Sequence, residues 1–127
     1  MGKQYINKTV LQASKDRIKK AFDATERQYI AFSGGKDSSV MFHLVMEEAI
    51  KRGVRVGVMY IDMEAQYADT IKHTLEMFDL YKDNIDPHWI CIPMRLRNAL
   101  TNYEPQWIAW DETRKADWVR QKPEFCR

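Results

Sequence analysis

The chain has 127 residues, a length that suits one domain with a core of its own and leaves little room for a second. Hydrophobic residues make up 45% and charged residues 30%, which excludes an intrinsically disordered chain. With 20 basic against 18 acidic residues the net charge is +2, too balanced to announce a nucleic-acid or membrane partner.

Met1-Gly2-Lys3-Gln4-Tyr5-Ile6-Asn7 has no apolar leader, and no run of 18 apolar residues occurs anywhere. The expectation is a cytoplasmic protein without a membrane partner. Cys91 and Cys126 stand far apart with no CxxC spacing, so neither a disulfide framework nor a zinc site is indicated. Cys91 lies in an apolar run and is expected in the core; Cys126 is expected to be an exposed thiol.

Asn7 is placed to cap a first helix running to about Ala24, with Val10, Leu11, Ile18, Ala21 and Phe22 along one side. The opposite side carries Lys8, Lys15, Arg17, Lys19 and Lys20, diluted by Asp16 and Asp23, and reads as a solvated basic face. Gln28 to Phe32 reads as the first strand. A second helix, from Ser38 to about Arg52, ends at Gly53. On that helix His43 tempts a catalytic reading, but a helical histidine with no visible partner is more often packing or surface.

Between them lies Ser33-Gly34-Gly35-Lys36-Asp37-Ser38-Ser39. Two adjacent glycines admit positive φ and close approach of a ligand to the backbone. A helix start adds unpaired N–H groups and the positive end of its dipole, so a phosphate is the expected guest. Lys36 supplies a positive charge, and Ser33, Ser38 and Ser39 supply hydroxyls. Asp37 would repel a bare phosphate, which points to a magnesium ion shared by carboxylate and phosphate; the alternative is that it only caps the helix. The spacing differs from GxxxxGK[ST], so this is not the Walker loop.

Val54 to Ile61 reads as a second strand buried on both faces, completing a right-handed βαβ unit. Ligands of open parallel sheets sit beyond the strands' carboxyl ends, where both the glycine turn and Asp62 to Gln66 fall. There Asp62 or Glu64 could reach a ribose or metal, with the backbone near Ile61 at an adenine edge, or the acids could cap the next helix. That helix, about Tyr67 to Leu80, carries Tyr67, Ile71, Leu75 and Phe78 at helical spacing, with His73 opposite and solvated.

Asp83 to Pro87 reads as a turn and His88 to Ile92 as the third strand, stopped by Pro93. Arg95 and Arg97 read as the start of a short helix, and Arg95 either holds a phosphate or sulfate or faces water. Pro105 to Val119 reads as a helix aligning Trp107, Trp110, Arg114 and Trp118. Such tryptophans are more often core or subunit interface than base-stacking platforms, so nucleic acid is not the favoured partner.

Ser33-Gly34-Gly35-Lys36-Asp37-Ser38 resembles SGGxDS, the pyrophosphate-binding loop of the PP-loop ATP pyrophosphatases, or adenine nucleotide alpha-hydrolase-like superfamily. Phe32 to Val40, together with Tyr60 to Tyr67, most resembles the phosphoadenosine phosphosulfate (PAPS) reductase-like branch, including its phage and prophage proteins. The resemblance implies an α/β fold of three layers, a mostly parallel twisted sheet flanked by helices. It also implies a single nucleotide-binding domain over 1–127: a helix at 7–24, a βαβαβ core at 28–93 and a Trp/Arg-rich segment at 95–127. Fewer strands are legible than the family's sheet holds, so a second copy or a protein partner is expected to cover an exposed edge.

For activity the resemblance implies binding of ATP with magnesium and cleavage between the α- and β-phosphates. Ser33, Gly34, Gly35, Ser38 and Ser39 would hold the phosphates, Lys36 would neutralise them, and Asp37 would place the metal, making Lys36 and Asp37 the catalytic candidates. Ile61, Asp62 and Arg95 complete the candidate nucleotide site. PAPS reductases also carry a C-terminal ECGxH-like segment with the attacking cysteine; Glu124-Phe125-Cys126-Arg127 keeps only a glutamate and a cysteine at altered spacing. Sulfonucleotide reduction is therefore an alternative reading. A non-catalytic nucleotide-binding subunit or regulator is the other.

Overall fold

The computed structural model describes residues 7–127; Met1 to Ile6, read above as lacking an apolar leader, lie outside them. In chain order the elements are α1 (Val10–Ala24), β1 (Tyr29–Phe32), α2 (Lys36–Arg52), β2 (Val56–Ile61), α3 (Ala68–Leu80), β3 (Ile85–Ile90), β4 (Met94–Arg97) and β5 (Gln106–Ala109). A 3₁₀ helix (Glu112–Asp117) follows. The fold is α/β, built on a parallel sheet in the order β1-β2-β3 flanked by helices. No helix among the described residues is long and apolar enough to cross a membrane.

Local chemistry sets the helix ends. Thr9, rather than Asn7, caps α1: its hydroxyl accepts from Gln12 N–H while the Gln12 side chain accepts from Thr9 N–H. Val10 and Leu11, placed inward by the sequence pattern, are exposed on this first turn. Of the basic face, Lys15 turns to Glu47 on α2 at 2.8 Å, so it is not wholly solvated. Helix α2 starts at Lys36, two residues earlier than its pattern suggests, and stops where Gly53 turns left-handed with φ +64°. Asp37 in its first turn and Lys51 and Arg52 in its last match the helix dipole.

Across the sheet Phe32, Tyr60 and Trp89 are register partners, and so are Ile30 and Val58. Their face forms the core beneath α2 and α3, with Phe42 edge-on to Phe32 and Phe78 against both Phe32 and Trp89. The other face carries Tyr29, Ala31, Met59 and Ile61, all exposed. Burial of β2 on both faces thus holds only over Val56 to Val58 and gives way to alternation.

Pro87, read as part of a turn, lies inside β3 opposite Val58. Trp89 C=O and Cys91 N–H both bond Arg127, so this alternate set of β3 residues points away from β2. Pro87 belongs to that set, and its missing N–H removes no bond to β2. The expected helices of the last third are absent. Met94–Arg97 pairs antiparallel with Gln106–Ala109, setting Leu96 opposite Trp107 and Arg95 opposite Ile108. Trp110 then takes φ +54° and ends the strand before the 3₁₀ helix. Trp110 is fully buried and Trp107 and Trp118 pack against the core, which is the packing role weighed for them.

Candidate functional site

The glycine turn sits where β1 ends and α2 begins. Gly34 has φ +74°, and a Cβ there would lie 2.7 Å from Thr70 Cγ2 and 3.0 Å from Thr74 Oγ1 of α3. Glycine is thus required twice, by backbone angle and by the close approach of α3. Gly35 occupies the N-cap position with no side chain to cap α2. The N–H groups of Lys36, Asp37 and Ser38 have no hydrogen-bond partner among the described residues; Ser39 N–H is the first to be paired, to Gly35 C=O at 2.9 Å.

Around these amides the hydroxyls form a short chain. Ser33 Oγ and Ser38 Oγ lie 2.9 Å apart, Gly35 N–H donates to Ser33 Oγ at 3.3 Å, and Ser38 Oγ donates to Gly35 C=O at 2.9 Å. Ser39 Oγ donates to the same carbonyl at 2.8 Å. Lys36 and Asp37 project into solvent, 88% and 94% exposed, with Nζ 3.6 Å from Oδ1. At that exposure the pair is worth little to stability and is free to exchange partners. Ser33 to Ser39 are thereby brought together as one open, donor-rich surface.

Asp62 behaves in the opposite way. It is 0% exposed, and its carboxylate accepts from Glu64 N–H at 2.9 Å, Trp89 Nε1–H at 2.8 Å, Cys91 Sγ–H at 3.7 Å and the Arg120 guanidinium. Glu64, with φ +65°, accepts from Trp110 N–H at 2.6 Å and Val119 N–H at 3.0 Å. Trp110 Nε1–H and Arg120 Nε–H donate to the Asp62 and Glu64 carbonyls. Both acids are consumed in tying the C-terminal segment to the end of β2. Both are buried, and neither caps α3, whose N-cap, Tyr67, makes no side-chain cap bond.

Ile61 is partly exposed at the end of β2. Because Gly57 N–H bonds Gln28 C=O, alternate residues from Gly57 to Ile61 face β1, which has already turned away at Ser33. This leaves the Ile61 backbone beside the turn. Arg95 is exposed on the β4–β5 hairpin and is not tied to the turn by any hydrogen bond among the described residues. No group of three or more His, Cys, Asp or Glu side chains able to hold a metal occurs among the described residues. A single exposed carboxylate beside hydroxyls still fits magnesium, which is held by one or two carboxylates plus substrate phosphates and keeps several waters.

Three residues acquire roles that the sequence reading did not give them. His73, read as solvated, is half-buried with Nε2 2.7 Å from Ser39 Oγ. Thr70 and Thr74 back onto Gly34. The signal was a second stripe, Thr70, His73, Thr74 and the apolar Met77, one step round α3 from the first; Thr74 and Met77 are the helix's buried residues. His43 bonds the Tyr81 hydroxyl at 2.6 Å, a packing role. The Tyr60 hydroxyl is buried without a hydrogen-bond partner among the described residues, and burial, then the Asp62 carboxylate, pushes its pKa up.

Cys91 is buried at the end of β3, and burial, followed by its contact with Cys126, raises its thiol pKa far above the ordinary value. It is therefore a poor thiolate nucleophile. Cys126, read as exposed, is half-buried and packs against the core.

Residues 27–122 match the phosphoadenosine phosphosulfate reductase domain family. The chain belongs to that family. It is also 37% identical over 116 residues to the uncharacterized protein YbdN of Escherichia coli (strain K12), a match that takes in 91% of this chain and 28% of that protein. The chain spans little more than a quarter of the length of this relative. The family match agrees with the resemblance carried by the SGGKDS turn and with the parallel sheet on which that turn sits.

Proposed function

We propose that this PAPS reductase-like chain binds ATP or a related adenine nucleotide through Ser33 to Ser39 and cleaves it between the α- and β-phosphates. One observation carries this reading: three amides at the start of α2 have no hydrogen-bond partner among the described residues and stand beside the exposed Lys36. In the reaction an acceptor oxygen attacks the α-phosphorus as pyrophosphate departs, so catalysis rests on alignment and charge stabilisation. The Lys36, Asp37 and Ser38 amides would hold the departing phosphates, the Ser33 and Ser38 hydroxyls would hold the turn in shape, and Lys36 would neutralise the charge. Magnesium, held by Asp37 and phosphate oxygens, would supply further charge neutralisation. Incubation with ATP and magnesium should release pyrophosphate, with an equal amount of the AMP group on the acceptor, or free where water is the acceptor; no pyrophosphate release with any acceptor class would overturn the cleavage step.

A second reading, a nucleotide-binding subunit or regulator, is favoured by the uncovered sheet face of Tyr29, Ala31, Met59 and Ile61. Parallel sheets are ordinarily covered on both faces. Binding without turnover, with self-association or partner capture in light scattering, would select it. Sulfonucleotide reduction, the remaining alternative, requires thiol-dependent sulfite release that disappears in Cys126→Ser.

A further inference from the structure

We propose that His73 is a positioning residue of the phosphate turn, acting through Ser39 and the Gly35 carbonyl on the Lys36 amide; this rests on the oxyanion-binding reading above. The assignment follows from counting hydrogens. Ser39 Oγ lies 2.8 Å from Gly35 C=O and 2.7 Å from His73 Nε2. A carbonyl can only accept, so the one hydroxyl hydrogen goes to Gly35, and Nε2 must carry a hydrogen and donate it to Ser39. In the neutral ring Nδ1 is then bare, and it has no hydrogen-bond partner among the described residues.

Gly35 C=O thereby collects three donors: Ser39 N–H at 2.9 Å, Ser38 Oγ at 2.9 Å and Ser39 Oγ at 2.8 Å. That carbonyl belongs to the same peptide unit as Lys36 N–H, one of the unpaired amides. Donors on the oxygen polarise the unit and strengthen the N–H as a donor, and each link reinforces the next. His73 Nε2–H, Ser39 Oγ–H, the Gly35–Lys36 peptide and a bound oxyanion form one continuous relay.

Within about one turn of His73 on α3 the charged residues are Asp69, Lys72 and Glu76, the last two paired at 3.9 Å; within about one turn of Ser39 on α2 are Lys36 and Asp37, paired with each other, and His43, bonded to Tyr81. From β1 the neighbour is the neutral ring of Phe32, 6.1 Å away between centroids.

The test is calorimetric titration of the full chain and two His73 variants with inorganic sulfate at one fixed, mildly alkaline pH. His73→Gln keeps an N–H donor for Ser39 and should match the parent within about twofold. His73→Leu, with its fold checked by circular dichroism, should bind several-fold more weakly than either. Parent-like binding by His73→Leu, or binding by His73→Gln as weak as that of His73→Leu, overturns the role of His73 alone. Absence of sulfate binding by the parent overturns the oxyanion reading and this inference with it.

Discussion

The ends of β1 and β2 are neighbours on one edge of one sheet, and they treat their polar groups in opposite ways. At the end of β1 three amides have no partner among the described residues, and a lysine and an aspartate are left to solvent. At the end of β2 two carboxylates are withdrawn from water and matched by donors from residues 89 to 120. An unmatched buried charge is costly, so the second cluster must be complete to exist. An exposed helix start tolerates empty amides because water occupies them. The contrast separates a surface kept available from a latch that holds the chain together, although both looked alike as polar residues after an apolar strand.

Removing the latch should have the largest effect. Asp62→Ala leaves Arg120 half-buried with no carboxylate and frees Trp89 Nε1–H, a change in the class that costs about 3–5 kcal/mol. Urea unfolding monitored by tryptophan fluorescence would show it. A loss under about 1 kcal/mol would mean that the cluster is not a latch.

Lys36→Ala should do the reverse. Nucleotide affinity should fall by about 1.5–3 kcal/mol, the scale of a hydrogen bond to a charged group, with stability unchanged within about 0.5 kcal/mol. Unchanged ATP affinity would take the lysine out of the site. Gly34→Ala touches both properties, since its φ and the 2.7 Å approach to Thr70 leave no room for a methyl group. A stability loss above about 1 kcal/mol, together with weaker nucleotide binding, is expected. A neutral result would show that α3 does not press on the turn.

The smallest effect concerns pH. The Cys91 thiol pKa is raised in the folded chain by burial, so its contribution is fully present below the unfolded thiol's pKa of about 8.5. It is lost as the pH climbs above that value towards the folded pKa. Stability of the parent should therefore decline on the alkaline side, and Cys91→Ala should flatten that decline. An identical slope in both would contradict the burial argument.

Much of this was legible in the residues. Gly53 announced the end of α2, the apolar runs announced β1 and β2, and six consecutive residues announced the turn. Three things were hidden. Arg120 pairs with Asp62 across 58 positions, and no local pattern reveals such a pairing. Trp107, Trp110, Arg114 and Trp118 fit a helical period, yet Leu96 opposite Trp107 and the positive φ of Trp110 settle a hairpin, because a short apolar run satisfies either period. Ser39 and His73 meet only because α3 packs against the turn at Gly34, a contact between elements 34 positions apart.

The central claim is that the first-turn amides of α2 receive an oxyanion while the carboxylates after β2 do not take part. Amide-resolved NMR titration with inorganic pyrophosphate tests it most directly. Saturable shifts should be concentrated at Gly34 to Ser39, with the Trp89 and Trp110 indole signals unmoved. Shifts centred on the indoles and Glu64, or none at the turn, would contradict it.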